Sequence, residues 1–151
     1  MKRALVILMF IVMFFPCAVL AQEQGFGLGI MLGDPTAISF KKWIGSKNAF
    51  DGGVGWSFRN ENSFHVHADI LIHSFNLITV ERGKAPLYFG FGARLNTEDE
   101  TKFGLRIPFG VSYIFEKSPL DVFFEIAPLF DLVPDTDFGG LEWSIGIRYY
   151  F

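Results

Sequence analysis

The feature that most constrains this chain is an alternation of apolar and polar residues that continues to its last residue. From Trp143 to Phe151 every second residue is large and apolar, and Arg148 lies on the opposite parity. A period of two puts alternate side chains on opposite faces of a β-strand, so this segment predicts a strand with one apolar face. Similar alternation recurs upstream, and no stretch after residue 21 shows a convincing 3.6-residue apolar repeat. The sequence therefore predicts an all-β chain.

The first 21 residues differ from the rest. Two basic residues precede an apolar stretch from Ala4 to Phe15, and Val19-Leu20-Ala21 offers the small residues that suit signal-peptidase cleavage. An uncleaved membrane anchor is the alternative, but Pro16 would break the last turn of such a helix. We expect residues 1–21 to be a signal peptide and residues 22–151 to form one domain. Cys17, the only cysteine, would leave with the signal.

Turn signals divide the remaining chain into eight alternating segments. We expect strands at residues 25–33, 36–44, 49–58, 63–75, 87–95, 103–115, 120–132 and 141–151. Without Lys2 and Arg3, eleven of the 13 basic residues remain against 16 acidic ones, a formal charge of minus five. This acidic balance gives no support for nucleic-acid binding.

Each segment except the second has one apolar face and one face of charged residues and glycines. In the second segment Lys41, Lys42 and Trp43 are adjacent, so its facing is ambiguous. The charged residues of the polar face are Asp51, His65, His67, Asp69, His73, Arg94, Arg106, Asp121, Glu125, Asp131, Glu142 and Arg148.

Alternation alone does not say which face is the inside, because a lipocalin-like soluble barrel points its apolar face inward. An eight-stranded barrel has an interior just wide enough for side chains, and an apolar face of about thirty large residues, about a third of them Phe, would overfill it. The glycines of the polar face would leave room for charged side chains in a narrow interior. We therefore predict an eight-stranded antiparallel up-and-down transmembrane β-barrel whose apolar face meets lipid.

The end of the chain carries a recognisable motif. Ser144, Gly146, Tyr149 and Phe151 match, residue by residue, the signal that the barrel-assembly machinery reads in bacterial outer-membrane barrels. The chain as a whole resembles the transmembrane barrel class typified by OmpA and OmpX. The resemblance implies an integral outer-membrane location, contact with outer-membrane lipids, the assembly machinery as a partner, and a monomer.

Two interpretations of the polar face are open. His65, His67 and Asp69 alternate along one strand, where the imidazoles would lie about 6 to 7 Å apart and a metal ion would bridge them. The other interpretation is a packed plug, in which the three arginines pair with the carboxylates. We favour the plug. The sequence then predicts no cofactor, no catalytic residue, and a non-enzymatic role in envelope structure or surface binding.

Three alternatives remain open. An outer-membrane enzyme acting on lipid A or phospholipid would need a Ser-His-carboxylate set. His73 and Ser74 are adjacent and so point to opposite faces, while Ser112 and Ser144 face inward without an assignable histidine. A pore is the second alternative, although eight strands leave no water channel. A soluble lipocalin-like periplasmic binder is the third, if the faces are reversed.

Overall fold

The structure is a computed structural model that describes residues 25–57 and 63–151. The predicted signal peptide and the predicted turn at residues 59–62 lie outside the described residues. The part of the chain that the structure describes contains no helix long and apolar enough to cross a membrane.

The described residues form nine antiparallel strands, and consecutive strands pair with each other except for β6 and β7. They are β1 (Phe26–Asp34), β2 (Ala37–Trp43), β3 (Asn48–Ser57), β4 (Ser63–Ser74), β5 (Leu87–Asn96), β6 (Lys102–Arg106), β7 (Phe109–Ile114), β8 (Leu120–Val133) and β9 (Asp137–Tyr150). Because β9 pairs with β1 from Trp143 to Tyr150, the sheet closes into a ring. The all-β, antiparallel, up-and-down prediction is confirmed.

The strand count of eight was wrong because residues 103–115 form two strands, β6 and β7. Both pair with β5 on one side and β8 on the other, so they share one position in the ring. Pro108 has no N–H to give to a ladder, which explains the break. Its carbonyl still accepts the Gly90 N–H at 2.9 Å, and the Ile107 N–H donates to the Pro128 carbonyl at 3.1 Å. The ring therefore stays hydrogen-bonded across the interruption.

The last strand starts earlier than the predicted residue 141. β9 begins at Asp137, and its first residues continue the pairing with β8 across a register shift. Gly139 and Gly140 fall in the connection between the predicted strands at residues 120–132 and 141–151. Gly140 adopts a φ of 98° beside that shift, and Gly139 lies against the Asp131 carboxylate. These glycines therefore accommodate an irregularity within the strand pair.

Burial alternates along the strands with the parity predicted from the sequence. On β9, Leu141, Trp143 and Ile145 are 50 to 55% exposed, whereas the intervening Glu142 and Ser144 are buried. The other strands follow the same rule. The outer face of the ring is therefore apolar, and its interior is polar.

The ambiguous second strand obeys this alternation as well. Lys41 is fully buried inside the ring, Lys42 is exposed outside it, and Trp43 is buried inside. Trp43 packs with Ile114 and Tyr150 in a small apolar cluster at one end of the interior. This cluster lies at the end of the interior opposite to the β1–β2 turn, which is called the aromatic end below.

Candidate functional site: the interior charge network

All twelve charged residues predicted for the polar face lie inside the ring. Each is at most 7% exposed: Asp51, His65, His67, Asp69, His73, Arg94, Arg106, Asp121, Glu125, Asp131, Glu142 and Arg148. Burial of so many charges is costly unless they are paired and hydrogen-bonded. Three arginines, each on a different strand, organise that pairing.

Arg106 on β6 is the centre of the network. Its Nη1 donates to Asp69 Oδ2 at 2.5 Å, and its Nη2 donates to Glu125 Oε1 at 2.7 Å. Its Nε lies 3.5 Å from Glu142 Oε2. The Tyr88 hydroxyl donates to the other oxygen of Glu125 at 2.9 Å. One guanidinium thus joins carboxylates from β4, β8 and β9 across the ring.

Arg148 on β9 forms a second group nearer the aromatic end. It binds Asp121 through two donors, Nε at 3.0 Å and Nη2 at 3.2 Å, and donates to Asp51 Oδ2 from Nη1 at 2.5 Å. The Tyr150 hydroxyl donates to Asp121 Oδ2 at 2.7 Å. The guanidinium carbon also lies 4.0 Å from the centre of the Phe123 ring, within range of a cation–π contact.

Arg94 on β5 forms the third group, near the β1–β2 turn. Its two terminal nitrogens donate to Asp131 at 2.9 Å and to Glu142 at 3.1 Å. His65 Nδ1 lies 3.8 Å from the same Glu142 oxygen, and His65 Nε2 is hydrogen-bonded to His67 Nδ1 at 3.0 Å. The two histidines therefore extend this group toward the centre.

Lys41 is an interior residue that the sequence left undecided. Its Nζ donates to His73 Nε2 at 2.7 Å and lies 4.5 Å from the centre of the Trp43 ring. His73 Nδ1 donates to the Lys47 carbonyl at 3.0 Å. Lys41 lies opposite the inward-facing Asp51 in the β2–β3 register, and this register identifies Lys41 as inward-facing. That register was not readable from the sequence.

Tyr150 and Phe123 were also missed as members of the site. Both contact Arg148 or its carboxylate partner, yet neither carries a charge. Parity alone would have found them: Tyr150 lies two residues from Arg148, and Phe123 lies between Asp121 and Glu125 on the same face. The pattern of charged residues on the polar face does not include them.

The predicted metal ligands are only partly brought together. His67, Asp69 and Asp51 each offer a ligand atom, and these atoms lie within 4.8 Å of one another. Asp51 replaces His65 in the predicted set, because it lies directly opposite Asp69 in the β3–β4 register. His65 instead supports His67 through their hydrogen bond.

The surroundings of His73 bear on the lipid-modifying alternative. His73 is 1% exposed and uses both ring nitrogens, one with Lys41 and one with the Lys47 carbonyl. Ser74, on the opposite parity of β4, does not share its face. His73 is therefore not placed to activate this serine.

The C-terminal motif lies on β9 and just after it. Ser144 faces the interior, whereas the rings of Tyr149 and Phe151 pack edge to face outside it, with their centres 5.0 Å apart. Gly146 lies under the Phe123 ring, which a Cβ would strike. The motif thus combines one interior polar residue, one glycine required by an aromatic neighbour, and two outward aromatics.

A polar cavity of about 310 Å³ opens at the β1–β2 end of the ring. Its lining includes Asp34, Ser63, His65, Asn96 and Glu98. His65 therefore joins this mouth to the buried network.

No family model, curated protein or solved structure matches this chain. Its function is accordingly inferred from the chemistry of the ring.

Proposed function

We propose that this protein is an integral outer-membrane β-barrel with a plugged polar lumen, serving envelope structure or surface binding without catalysis. The inside-out distribution of its side chains carries the proposal. Thirty large apolar side chains among the described residues are more than a third exposed, whereas four cationic groups and six carboxylates are buried. This is the reverse of the lipocalin-like alternative.

The extent of the outer apolar surface favours lipid over water as its solvent. On β1 alone Phe26, Leu28, Ile30 and Leu32 are 42 to 55% exposed. Soluble monomers rarely expose a contiguous apolar patch larger than a few hundred Å². Here every strand of the ring carries at least one exposed large apolar side chain, and the hydrocarbon of a bilayer would accept such a surface.

The height of this surface fits a bilayer. Outward apolar residues on β8 run from Leu120 to Leu132, which is roughly 40 Å along the strand at about 3.3 Å per residue. A strand tilt of about 40°, usual in membrane barrels, would give an apolar height of roughly 30 Å. The hydrocarbon core of a typical bilayer is about 30 Å thick.

Ring closure supports the same environment. β1 and β9 are paired at eight successive positions, from Gly27↔Tyr150 to Asp34↔Trp143. A bilayer offers no water to satisfy an open strand edge, so spanning sheets must close. The pairing of the first and last strands meets that requirement.

The filled interior supports a structural or binding role over conduction. Arg94, Arg106 and Arg148 each form ion pairs inside the ring with carboxylates on other strands. These ion pairs occupy the space through which water would pass. Bilayer conductance of the purified protein tests the pore alternative, and lipid A mass spectra from cells with and without the gene test the lipid-modifying alternative.

Electrophoresis of the outer-membrane fraction, with and without boiling, tests the main proposal. A closed, lipid-facing barrel stays folded in cold detergent, so we expect the unboiled band to migrate differently from the boiled one. Recovery of the chain in the soluble periplasmic fraction, with no change of mobility, would contradict the proposal.

A further inference from the structure

We propose that the interior of the ring binds one divalent transition-metal ion of the zinc class, between Asp51, His67 and Asp69. Imidazole nitrogen and carboxylate oxygen are ordinary ligands for such ions. The site lies inside the ring, so this proposal does not depend on what solvent the outer face meets.

Strand register brings the two carboxylates together. Asp51 on β3 and Asp69 on β4 are directly opposite each other, and both side chains face inward. Like charges at directly opposed positions of a sheet destabilise it. His67 lies two residues before Asp69 on the same face of β4. A cation placed among the three would turn the repulsion between the carboxylates into attraction to a shared ion.

One oxygen of Asp69 is without a partner among the described residues. Arg106 holds Oδ2, whereas Oδ1 is buried with no hydrogen bond, in a residue that is 1% exposed. A buried, unsatisfied carboxylate oxygen carries the full cost of its desolvation. A metal ligated by Oδ1, which lies beside Gly92 on β5, would remove this cost. Likewise, Arg148 holds Oδ2 of Asp51.

The neighbours of His67 favour the ring form that a metal requires. A hydrogen bond joins His67 Nδ1 to His65 Nε2, and His65 Nδ1 lies 3.8 Å from a Glu142 oxygen. A proton on His65 Nδ1 is attracted by this carboxylate, so His65 Nε2 becomes the acceptor and His67 Nδ1 the donor. The lone pair of His67 then resides on Nε2. Supporting a metal-binding histidine through its other nitrogen is the usual arrangement in metal sites.

The interior has a formal negative charge that one divalent cation would balance. Among the buried described residues, four cationic groups face six carboxylates, which leaves a formal charge of minus two with neutral histidines. The cations are Lys41, Arg94, Arg106 and Arg148; the carboxylates are Asp51, Asp69, Asp121, Glu125, Asp131 and Glu142. One divalent cation would make the network neutral.

Modest movement would complete the site. The three donor atoms lie within 4.8 Å of one another, and ligand distances of about 2.0 to 2.2 Å around zinc require them to approach by roughly 1 Å. The polar cavity lined by Asp34 and Glu98 gives a cation an acidic entrance as far as His65, which is hydrogen-bonded to His67.

Zinc binding by the untagged, folded chain tests the proposal. The protein is equilibrated with Zn²⁺ in detergent, freed of excess metal by gel filtration, and analysed for metal by mass spectrometry. We expect one zinc per wild-type chain, and at least tenfold less retained zinc for His67→Gln and for Asp69→Asn. Asp131→Asn and His73→Gln are matched controls, because both residues are buried in the network but outside the site. They should retain the metal.

Two results would overturn the proposal: a wild-type chain that holds no zinc, and zinc retained by both site variants. If the site variants do not fold, the wild-type chain decides through its X-ray absorption spectrum. The expected spectrum has nitrogen and oxygen ligands with imidazole scattering, and a spectrum without imidazole would refute the assignment of His67.

Discussion

Arg106 illustrates how much a single interior residue contributes to the ring. Its guanidinium is 1% exposed and contacts Asp69, Glu125 and Glu142. Replacing it with leucine would leave buried carboxylates without their partner, a change that costs about 3–5 kcal/mol for buried ion pairs. We expect Arg106→Leu to lower the melting temperature sharply, measured by circular dichroism in detergent.

The same substitution at an exposed arginine provides the control. Arg82 is exposed in the connection between β4 and β5, so Arg82→Leu should melt close to the wild type. Unchanged melting of Arg106→Leu would refute the plug and mean that the interior carboxylates are satisfied in some other way.

Gly92 on β5 gives the second prediction at the residue scale. A Cβ at this position would overlap both the Asp69 carboxylate and the backbone carbonyl of Ala68, and the latter has no freedom to move away. Overpacking of this kind costs about 1–3 kcal/mol. We expect Gly92→Ala to reduce the free energy of unfolding in urea by that amount. Gly45→Ala is the matched control, because nothing lies within 4 Å of its Cβ position. Equal stability of the two variants would contradict the packing described.

At the scale of the element, β8 allows its two faces to be compared at adjacent residues. Phe124 is 45% exposed on the outer face, whereas Phe123 is 4% exposed beside Arg148. Spin labels on Phe124→Cys and Phe123→Cys, in lipid vesicles, report the solvent of each face. We expect the Phe124 label to collide with oxygen, which dissolves in lipid, and the Phe123 label to be reached by neither oxygen nor a nickel chelate.

A label on Ser46→Cys, in the exposed turn between β2 and β3, is the reference for water and should be accessible to the nickel chelate. If the Phe124 label behaves like the Ser46 label, the outer face meets water and the proposed location is wrong.

Strands and their facing could be predicted because both follow from the period of the sequence. The predicted strand bounds differ from the structure where the backbone, and not the side-chain pattern, determines where a strand begins or ends. Pro108 interrupts a strand whose burial alternates without a break, and the glycines at 139 and 140 lie within β9 although they read as a turn. Alternation constrains which face a residue takes; it does not reveal a missing N–H or a bulge.

Partners within the interior could not be predicted, because they depend on register and closure of the ring. Asp51 and Arg148 are 97 residues apart in sequence and meet only because β9 returns to pair with β1. Lys41 was undecided for the same reason, since its facing follows from the β2–β3 register. Twelve members of the network could be predicted from the sequence, whereas Lys41, Tyr150, Phe123 and the pairing itself become evident only in the ring.

At the scale of the whole molecule, the interior and the outer face of the ring differ in polarity, and a bilayer would suit both. The interior requires its charges to find partners inside the ring, while the outer face requires a solvent that accepts phenylalanine and isoleucine. A charge added to the outer face therefore distinguishes water from lipid by the sign of its effect. In water it would be harmless or would improve solubility, and in a bilayer it would be destabilising.

Phe91 is the position for this test, because it lies near the middle of β5 and is 57% exposed on the outer face. We expect Phe91→Lys to lower the free energy of unfolding in lipid vesicles by about 2–4 kcal/mol relative to Phe91→Leu, the usual cost of a lysine near the bilayer midplane. Ile44→Lys, at an exposed position beyond the end of β2, should cost about 0–1 kcal/mol because a charge near the interface reaches water. Urea titrations of the three variants in vesicles measure both differences. Equal stability of Phe91→Lys and Phe91→Leu would mean that the apolar band does not face hydrocarbon. A loss of stability that is larger for lysine at position 91 than at position 44 is an effect that water would not produce.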